Sequence, residues 1–534
     1  RAELALAWAR RSDLSSSADA PRDALADLDR AAKILEDCLE GGPREVALNL
    51  VAARCRQAEL AARLGEDDDA ADALAAAEAL CAQRDEPEAW ARLLRIRARL
   101  RQGRDPAAAM LDMARAFDLH ERVATSDPDE CGGFFDLAEE LWEERLRQLD
   151  IPGASEVVER ALTLLERELA AGRARPSWTS RVFGARRTFL GAERRYREAF
   201  EAAERGLRET QSLARLGDEG WVARSYTELA SAREDRGDLR GAGEAYAHAM
   251  AAFGRAPDAR PSELLRTRVL WAGVLNDLGQ PDQARLELER AERLLPEEDE
   301  DDTSSCWMRA GWLHAHAHAA RLLEELPLSR ELIRRVEALL AQVVEPTSFG
   351  EGFLAVVRCE RAQISLALGE EEDARDAAQS ALEVLHAHAE RGLHFGAPMS
   401  CDAELVLARL DLRDGELRRA QERLNRCLSE VGEDPPRRAR LERARGEVLL
   451  ALGESDQAGQ ALLAAGRAAG DHLPELLRVA TDAVRLDLLN DELSAVLEEH
   501  AGVLPARPSQ HLHAQAARLA DALQGSKALP RLRE

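Results

Sequence analysis

The chain is 534 residues long, and its 99 aspartates and glutamates outnumber 73 lysines and arginines to leave a net charge of −26. That balance works against non-specific attraction to nucleic acid or an anionic membrane, and no run of eighteen apolar residues is present to span a bilayer. Lysine occurs only twice, as Lys33 and Lys527, so lysine-based phosphate or Schiff-base chemistry has almost nothing to work with.

Taken in chain order, the apolar periodicity is helical throughout, and no stretch alternates for long like a strand. Residues 1–40 read as a first helical hairpin. Further hairpins are expected at about 45–82, 88–122, 129–170, 177–213, 219–253, 262–295, 304–344, 351–390, 400–430, 437–469 and 473–501. Helix-breaking loops separate them, among them the acidic run Glu297 to Asp302, read as a solvated loop. A last helix at about 508–524 has the place of a cap. The predicted organisation is therefore one continuous solenoid over 1–507, with a capping helix and tail over 508–534. The chain opens on Arg1 in helical pattern, with no basic-then-apolar leader, and reads as a piece of something longer.

The hairpins share a spacing. Gly65, Gly237, Gly279, Gly369, Gly415 and Gly453 each have a small residue seven before, five after and twelve after. The first set is Ala58, Ala230, Ala272, Ala362, Ala408 and Gly446; the second Ala70, Ala242, Ala284, Ala374, Ala420 and Ala458. The third is Ala77, Ala249, Ala291, Ala381, Cys427 and Ala465. A glycine between two periodic stretches can take the left-handed conformation that ends a helix. Small residues on both sides let two antiparallel helices approach closely. A single hairpin cannot bury both its apolar faces, so neighbours must stack.

This arrangement resembles the tetratricopeptide repeat, whose consensus has small residues before and after a turn glycine. Residues 225–250 fit best, through Tyr226, Leu229, Ala230, Gly237, Ala242 and Ala249. The units here are longer than that consensus, and its terminal proline is mostly missing. The resemblance implies an all-α fold, a right-handed superhelical solenoid of about twelve antiparallel helix hairpins with no sheet. Elongated, degenerate repeats of this kind are similar to the sensor arms of bacterial signalling ATPases, transcription regulators and Ser/Thr kinases. It implies a bacterial, cytoplasmic protein that binds protein or peptide.

Chemistry within these residues is not expected. There is no phosphate-binding loop, no nucleophile elbow and no kinase catalytic segment. The eight cysteines form no C-x-x-C pair and fit buried free thiols in a reducing compartment. His314 and His318 share a helix face, and His386, His388 and His394 cluster nearby, yet no four-ligand set is complete. No metal, cofactor or catalytic residue is assigned.

The strongest departure from the acidic background is 173–197, with eight arginines against one acid, Glu193, and with Trp178, Phe183, Phe189 and Tyr196 between them. If Arg194 takes the glycine place of its repeat, Ala199 and Gly206 fall at the small positions after it. Arg181 then occupies the second consensus position, which faces the inner groove by resemblance. Arg224 and Arg266 hold the same place in the next two repeats, with Thr188 and Ser231 also groove-facing. These five, together with Arg186, Arg187 and Trp178, are the candidate partner-binding residues. They are expected to form a concave basic strip for an acidic or C-terminal segment of a partner protein. The expected function is a non-catalytic interaction scaffold, or else a sensor or autoinhibitory arm of a larger signalling protein.

Overall fold

The computed structural model describes residues 21–497, apart from 40–43, 257–258, 297–302, 344–348, 391–396, 432–433, 470–471, 489–491 and single positions elsewhere. The expected cap at 508–534, the start of the first hairpin, the run 297–302 and His394 lie outside the described residues. All regular structure among the described residues is helical. The chain divides into two compact units, residues 1–171 and 172–534.

The first unit holds α1 (Pro21–Asp37), then the pairs α2 (Arg44–Arg63) with α3 (Asp67–Arg84) and α4 (Pro87–Arg101) with α5 (Pro106–Ser126). After a 3₁₀ turn it ends with α6 (Cys131–Arg147) and α7 (Ile151–Ala170). The second unit opens with the pairs α8 (Pro176–Ala192) with α9 (Tyr196–Leu213), α10 (Glu219–Glu234) with α11 (Leu239–Phe253), and α12 (Pro261–Asp277) with α13 (Pro281–Glu292). It continues with α14 (Thr303–Leu322) and α15 (Leu326–Val343), α16 (Phe349–Leu368) and α17 (Glu371–Glu390), and α18 (Ala397–Arg413) and α19 (Leu417–Glu430). The pair α20 (Pro435–Ala451) with α21 (Ser455–Ala469) follows, and then α22 (Leu473–Arg485). In the second unit the even-numbered helix is thus the first of each pair. These bounds fall within a few residues of the expected hairpins. Within each unit the described residues form the expected all-α fold of successive antiparallel helix pairs.

The turns explain why. Gly65, Gly237, Gly279, Gly369, Gly415 and Gly453 all adopt positive φ, between 71° and 84°. Behind each, the next amide closes a six-residue loop onto the helix, as in Glu66 N to Ala61 O at 2.9 Å and Glu454 N to Leu449 O at 2.9 Å. That bond satisfies a helix-end carbonyl and reverses the chain in the fewest residues. Arg194 and Glu324 take the same left-handed place at φ 61°. Their turns close identically, through Arg195 N to Leu190 O at 2.8 Å and Glu325 N to Ala320 O at 2.9 Å.

The small residues form the seams between helices. Ala230, Ala242, Ala249, Ala362, Ala374 and Ala381 are all fully buried. At Gly206 even one added carbon would lie 2.6 Å from Cβ of Phe183, so α8 and α9 touch almost backbone to ring. The core passes from pair to pair: one cluster joins α12 to α16 through residues such as Leu288, Leu313, Ile333 and Ile364. The next joins α16 to α18 through Ala362, Ala378 and Leu407.

Ion pairs repeat with the same step. Arg95 reaches Glu140 at 2.6 Å, Arg187 reaches Glu228 at 2.7 Å, and Arg375 reaches Asp414 at 2.8 Å. Arg285 with Glu325 and Arg330 with Glu370 add two more pairs about forty residues apart. An arginine and an acid one repeat apart lie side by side when hairpins stack, so the charge richness of the sequence ties each pair to the next.

Candidate functional site

The first helices of the second unit surround an interior cavity of about 760 Å³. Its wall comes from α8, α10, α12, α14, α16, α18, α20 and α22, with a few residues from the turns and from the starts of α9 and α11. Much of the lining follows one register. The residues thirteen, ten, six, three and two before the turn residue share one face of a helix. On α14 these are Gly311, His314, His318, Arg321 and Leu322, and all of them line the cavity. Along the unit the lining drifts. It uses the last turns of α8 and α10, the middle of α12 to α16, and the first turns of α18 and α20, through Asp402, Arg437 and Arg440.

Two polar contacts made by lining residues join segments far apart in the chain. Arg194 Nη1 donates to the Glu430 carbonyl at 3.3 Å, which brings the α8–α9 turn to the end of α19. His472 Nε2 lies 3.3 Å from Asp277 Oδ1, joining the start of α22 to the end of α12.

The wall is charged and largely self-paired. Arg437 binds Asp402 at 2.9 Å, and Arg440 reaches the other oxygen of the same carboxylate at 3.3 Å. Burial works against ionising Asp402, but these two guanidinium groups hold it below the usual carboxylate range. Glu360 is likewise held down against its burial by His314, His318 and Arg321, with His314 Nε2 at 2.8 Å. For Glu475 the holding cations are Arg478, Arg443 and Arg440. Asp277 is held down by His472 and, more weakly, by His318 and Arg440.

Two groups go the other way. Burial, reinforced by Asp277 and Asp235, pushes Glu234 up to about 8. Burial, with the help of Arg321, pushes His318 down to about 4. Both therefore favour their neutral forms near neutrality.

Of the candidate residues, Trp178, Arg181, Arg224 and Arg266 lie toward the starts of α8, α10 and α12, whereas Arg186, Arg187, Thr188 and Ser231 lie in the same halves of α8 and α10 as the cavity-lining residues. Arg181 and Arg224 flank the Trp221 ring at 5.9 and 6.0 Å, and Arg224 approaches Glu263 at 3.6 Å. Arg266 is exposed and lies 3.5 Å from the buried Glu228, which also binds Arg187. Arg187 is itself largely buried and reaches Asp235 at 3.6 Å. Trp178 is 5 % exposed, with the Arg175 guanidinium 4.9 Å from its ring. The Thr188 hydroxyl donates to the Gly184 carbonyl at 3.0 Å, Ser231 shares a hydrogen bond with Tyr246 at 3.1 Å, and Arg186 is half-buried. None of the eight lines the cavity. Arg194, which enters the sequence reading only as a register mark, does line it.

Sequence reasoning missed Glu234, Asp277, Asp402, Arg437, Arg440 and Glu475. A signal was present for two of them. Carrying the thirteen-before-the-turn rule past the third arginine lands on Asp402 before Gly415 and on Arg440 before Gly453.

No helix among the described residues is long and apolar enough to cross a membrane. No family model matches the chain, and no curated protein matches it. Solved structures similar to it include a Rap protein complexed with Competence and Sporulation Factor, at 14% identity over 73% of this chain and 99% of that one, with a TM-score of 0.41. The apo form of RapI matches at 13% identity over 73% and 99%, with a TM-score of 0.47. The APC/C hetero-tetramer Cut9–Hcn1 matches at 12% identity over 98% and 90%, with a TM-score of 0.42.

Proposed function

We propose that the second unit is a non-catalytic binding module that takes a segment of a partner polypeptide into its interior cavity. The observation that carries this reading is the register. Eight first helices, from α8 to α22, contribute to one cavity, and on α14 all five positions of the inner face line it. A cavity that winds along successive helices suits an extended chain, and its volume lies within the usual range for ligand sites. Val269, Leu270, Phe353 and Val356 supply apolar surface between the charged groups. The carboxylates are mostly neutralised by neighbouring arginines, which suits fixed complementarity to a ligand rather than proton transfer. An acidic or C-terminal segment is the partner chemistry that fits best, because the lining includes Arg194 and Arg440, whose guanidinium groups keep nitrogens with no hydrogen-bond partner among the described residues.

Two glycines make the test clean. Gly273 and Gly311 line the cavity in mid-helix, and a Cβ added at either meets no neighbouring side chain or helix within 4 Å. Gly273→Leu and Gly311→Leu should fill the space while improving helix propensity. A fluorescein-labelled hexapeptide pool enriched for retention on the full chain should lose binding to the double variant at least tenfold. Equal binding to the filled variant overturns the reading.

A further inference from the structure

The α8–α9 turn places arginine where six other turns of the chain place glycine. The left-handed backbone costs any residue with a side chain more than it costs glycine, so a non-glycine residue held there against strain points to a use for its side chain. Arg194 and Glu324 are the two such residues among those described, and the cavity lining takes Arg194 but not Glu324.

The donors of Arg194 are unevenly used. Nη1 donates to the Glu430 carbonyl at 3.3 Å. Nε and Nη2 are shielded from solvent and have no hydrogen-bond partner among the described residues. Those two nitrogens form one edge of the guanidinium, the edge whose parallel N–H groups match the two oxygens of a carboxylate. Tyr196, Asp235, Asp434 and Arg437 line the same cavity as Arg194, and Arg194, Asp235, Asp434 and Arg437 are all close enough to act on the Tyr196 phenol. The two carboxylates of this group already have cations. Asp434 binds Arg437, and Asp235 lies 3.6 Å from Arg187. Across the same cavity, Nε of Arg440 is also shielded and has no hydrogen-bond partner.

We propose that Arg194 is the anchor for a carboxylate of the bound segment, with Nε and Nη2 as a bidentate fork. This rests on the cavity being the binding site. The fork folds against the chain's own atoms in this structure and swings by its side-chain torsions to meet the ligand. The strain of the turn and the unmet donors are then two costs of the unliganded state, and binding relieves the second.

The position supplies its own control, because Arg194→Gly installs the residue that the equivalent turns use. That variant should unfold at the same temperature as the parent chain or higher. Arg194→Lys keeps a charge but loses the planar fork. The probes are N-terminally labelled hexapeptide pools: one with a free C-terminus and one amidated, each with Glu or Gln fixed at its centre. The parent chain should prefer a free C-terminus or the Glu pool by about tenfold or more. Arg194→Gly should abolish that preference, and Arg194→Lys should weaken it. Which preference disappears tells a terminal carboxylate from a side-chain one.

A preference that persists in Arg194→Gly overturns the anchor. So does peptide binding with no carboxylate preference, which leaves the cavity reading standing. Failure of every pool to bind the parent chain, or equal binding to the filled Gly273→Leu, Gly311→Leu variant, overturns the cavity reading and the anchor with it.

Discussion

Helices α10 and α11 pack against each other as one hairpin, yet they bury different chemistry. Helix α11 buries Ala242, Ala245, Tyr246, Ala249 and Ala252, a seam of small residues around one ring. Helix α10 buries Ser225, Thr227 and Glu228 beside its own alanines. The contrast persists down the second unit. Helix α17 buries Ala374, Ala377, Ala378 and Ala381, whereas α18 and α20 bury Asp402, Asp411, Arg437 and Arg443. Second helices are packed chiefly by shape, which needs small volume at fixed intervals, although α13 buries Glu287 and α17 buries His388. First helices bury charge as well as small residues, in part at the cavity wall, as with Asp402 and Arg437, and in part away from it, as with Glu228, Asp411 and Arg443.

The comparison breaks most visibly at a charge. Arg187→Ala should cost about 3–5 kcal/mol in urea unfolding, since it leaves Glu228 buried with only the longer contact to Arg266. Replacing both partners, as Arg187→Met with Glu228→Leu, should recover most of that loss. If the single variant is as stable as the parent chain, the buried charges of the first helices are incidental.

The seam breaks by volume. Ala249→Leu, at a fully buried position on α11, should cost about 1–3 kcal/mol through overpacking. The same change at Arg240, exposed on the same helix, should be nearly neutral. Equal losses at the two positions would show that side-chain volume does not set the seam.

How much of this was legible follows from the same contrast. The turns were readable because a glycine and three small residues recur at set distances, and the spacing even located Arg194 at a turn with no glycine. The seam was readable because alanine at a helix interface leaves a period. The inner face was not. In a chain with 99 acids and 73 basic residues, a charge facing the cavity looks like a charge facing water. Glu475 and Glu422 carry no local mark that one is buried and the other exposed. The arginines of 173–197 stood out as a cluster, and what the cluster could not reveal is the drift of the lining along the helices. Arg181, Arg224 and Arg266 hold the register that Asp402 and Arg440 hold later, but at the end of α8, α10 and α12 that the cavity does not reach.

The polar wall also answers to pH, in a direction that the seam cannot mimic. Glu234 has a folded value of about 8 against an ordinary 4.5, raised by burial and then by Asp277 and Asp235. Its contribution to stability is complete below 4.5 and is lost as pH rises through 8. His318 runs opposite: its folded value of about 4 lies below the ordinary 6.5, so stability is lost as pH falls from 6.5 toward 4. Between pH 7.5 and 9 His318 is almost wholly neutral in both states and the Glu234 effect stands nearly alone. Over that window the parent chain should lose on the order of 1 kcal/mol through this group. Glu234→Gln should flatten the slope, and an unchanged slope would mean that Glu234 is ionised throughout.

The smallest effect is expected where charge is outside both regions. Arg375 on α17 pairs with Asp414 at 2.8 Å, and the two side chains are 32% and 47% exposed. The pair has the same one-repeat spacing as Arg187 with Glu228, so sequence distance alone would rank them together. Solvent separates them: an exposed pair gains little from Coulomb attraction and loses side-chain entropy in forming. Arg375→Ala should therefore cost less than about 1 kcal/mol, and salt at 1 M should erase even that. The ratio of this loss to that of Arg187→Ala measures how far a buried pair between first helices departs from an exposed pair at the same spacing. A loss at Arg375 matching the one at Arg187 would mean that the repeat-to-repeat spacing, rather than burial, sets the electrostatic stability of the unit.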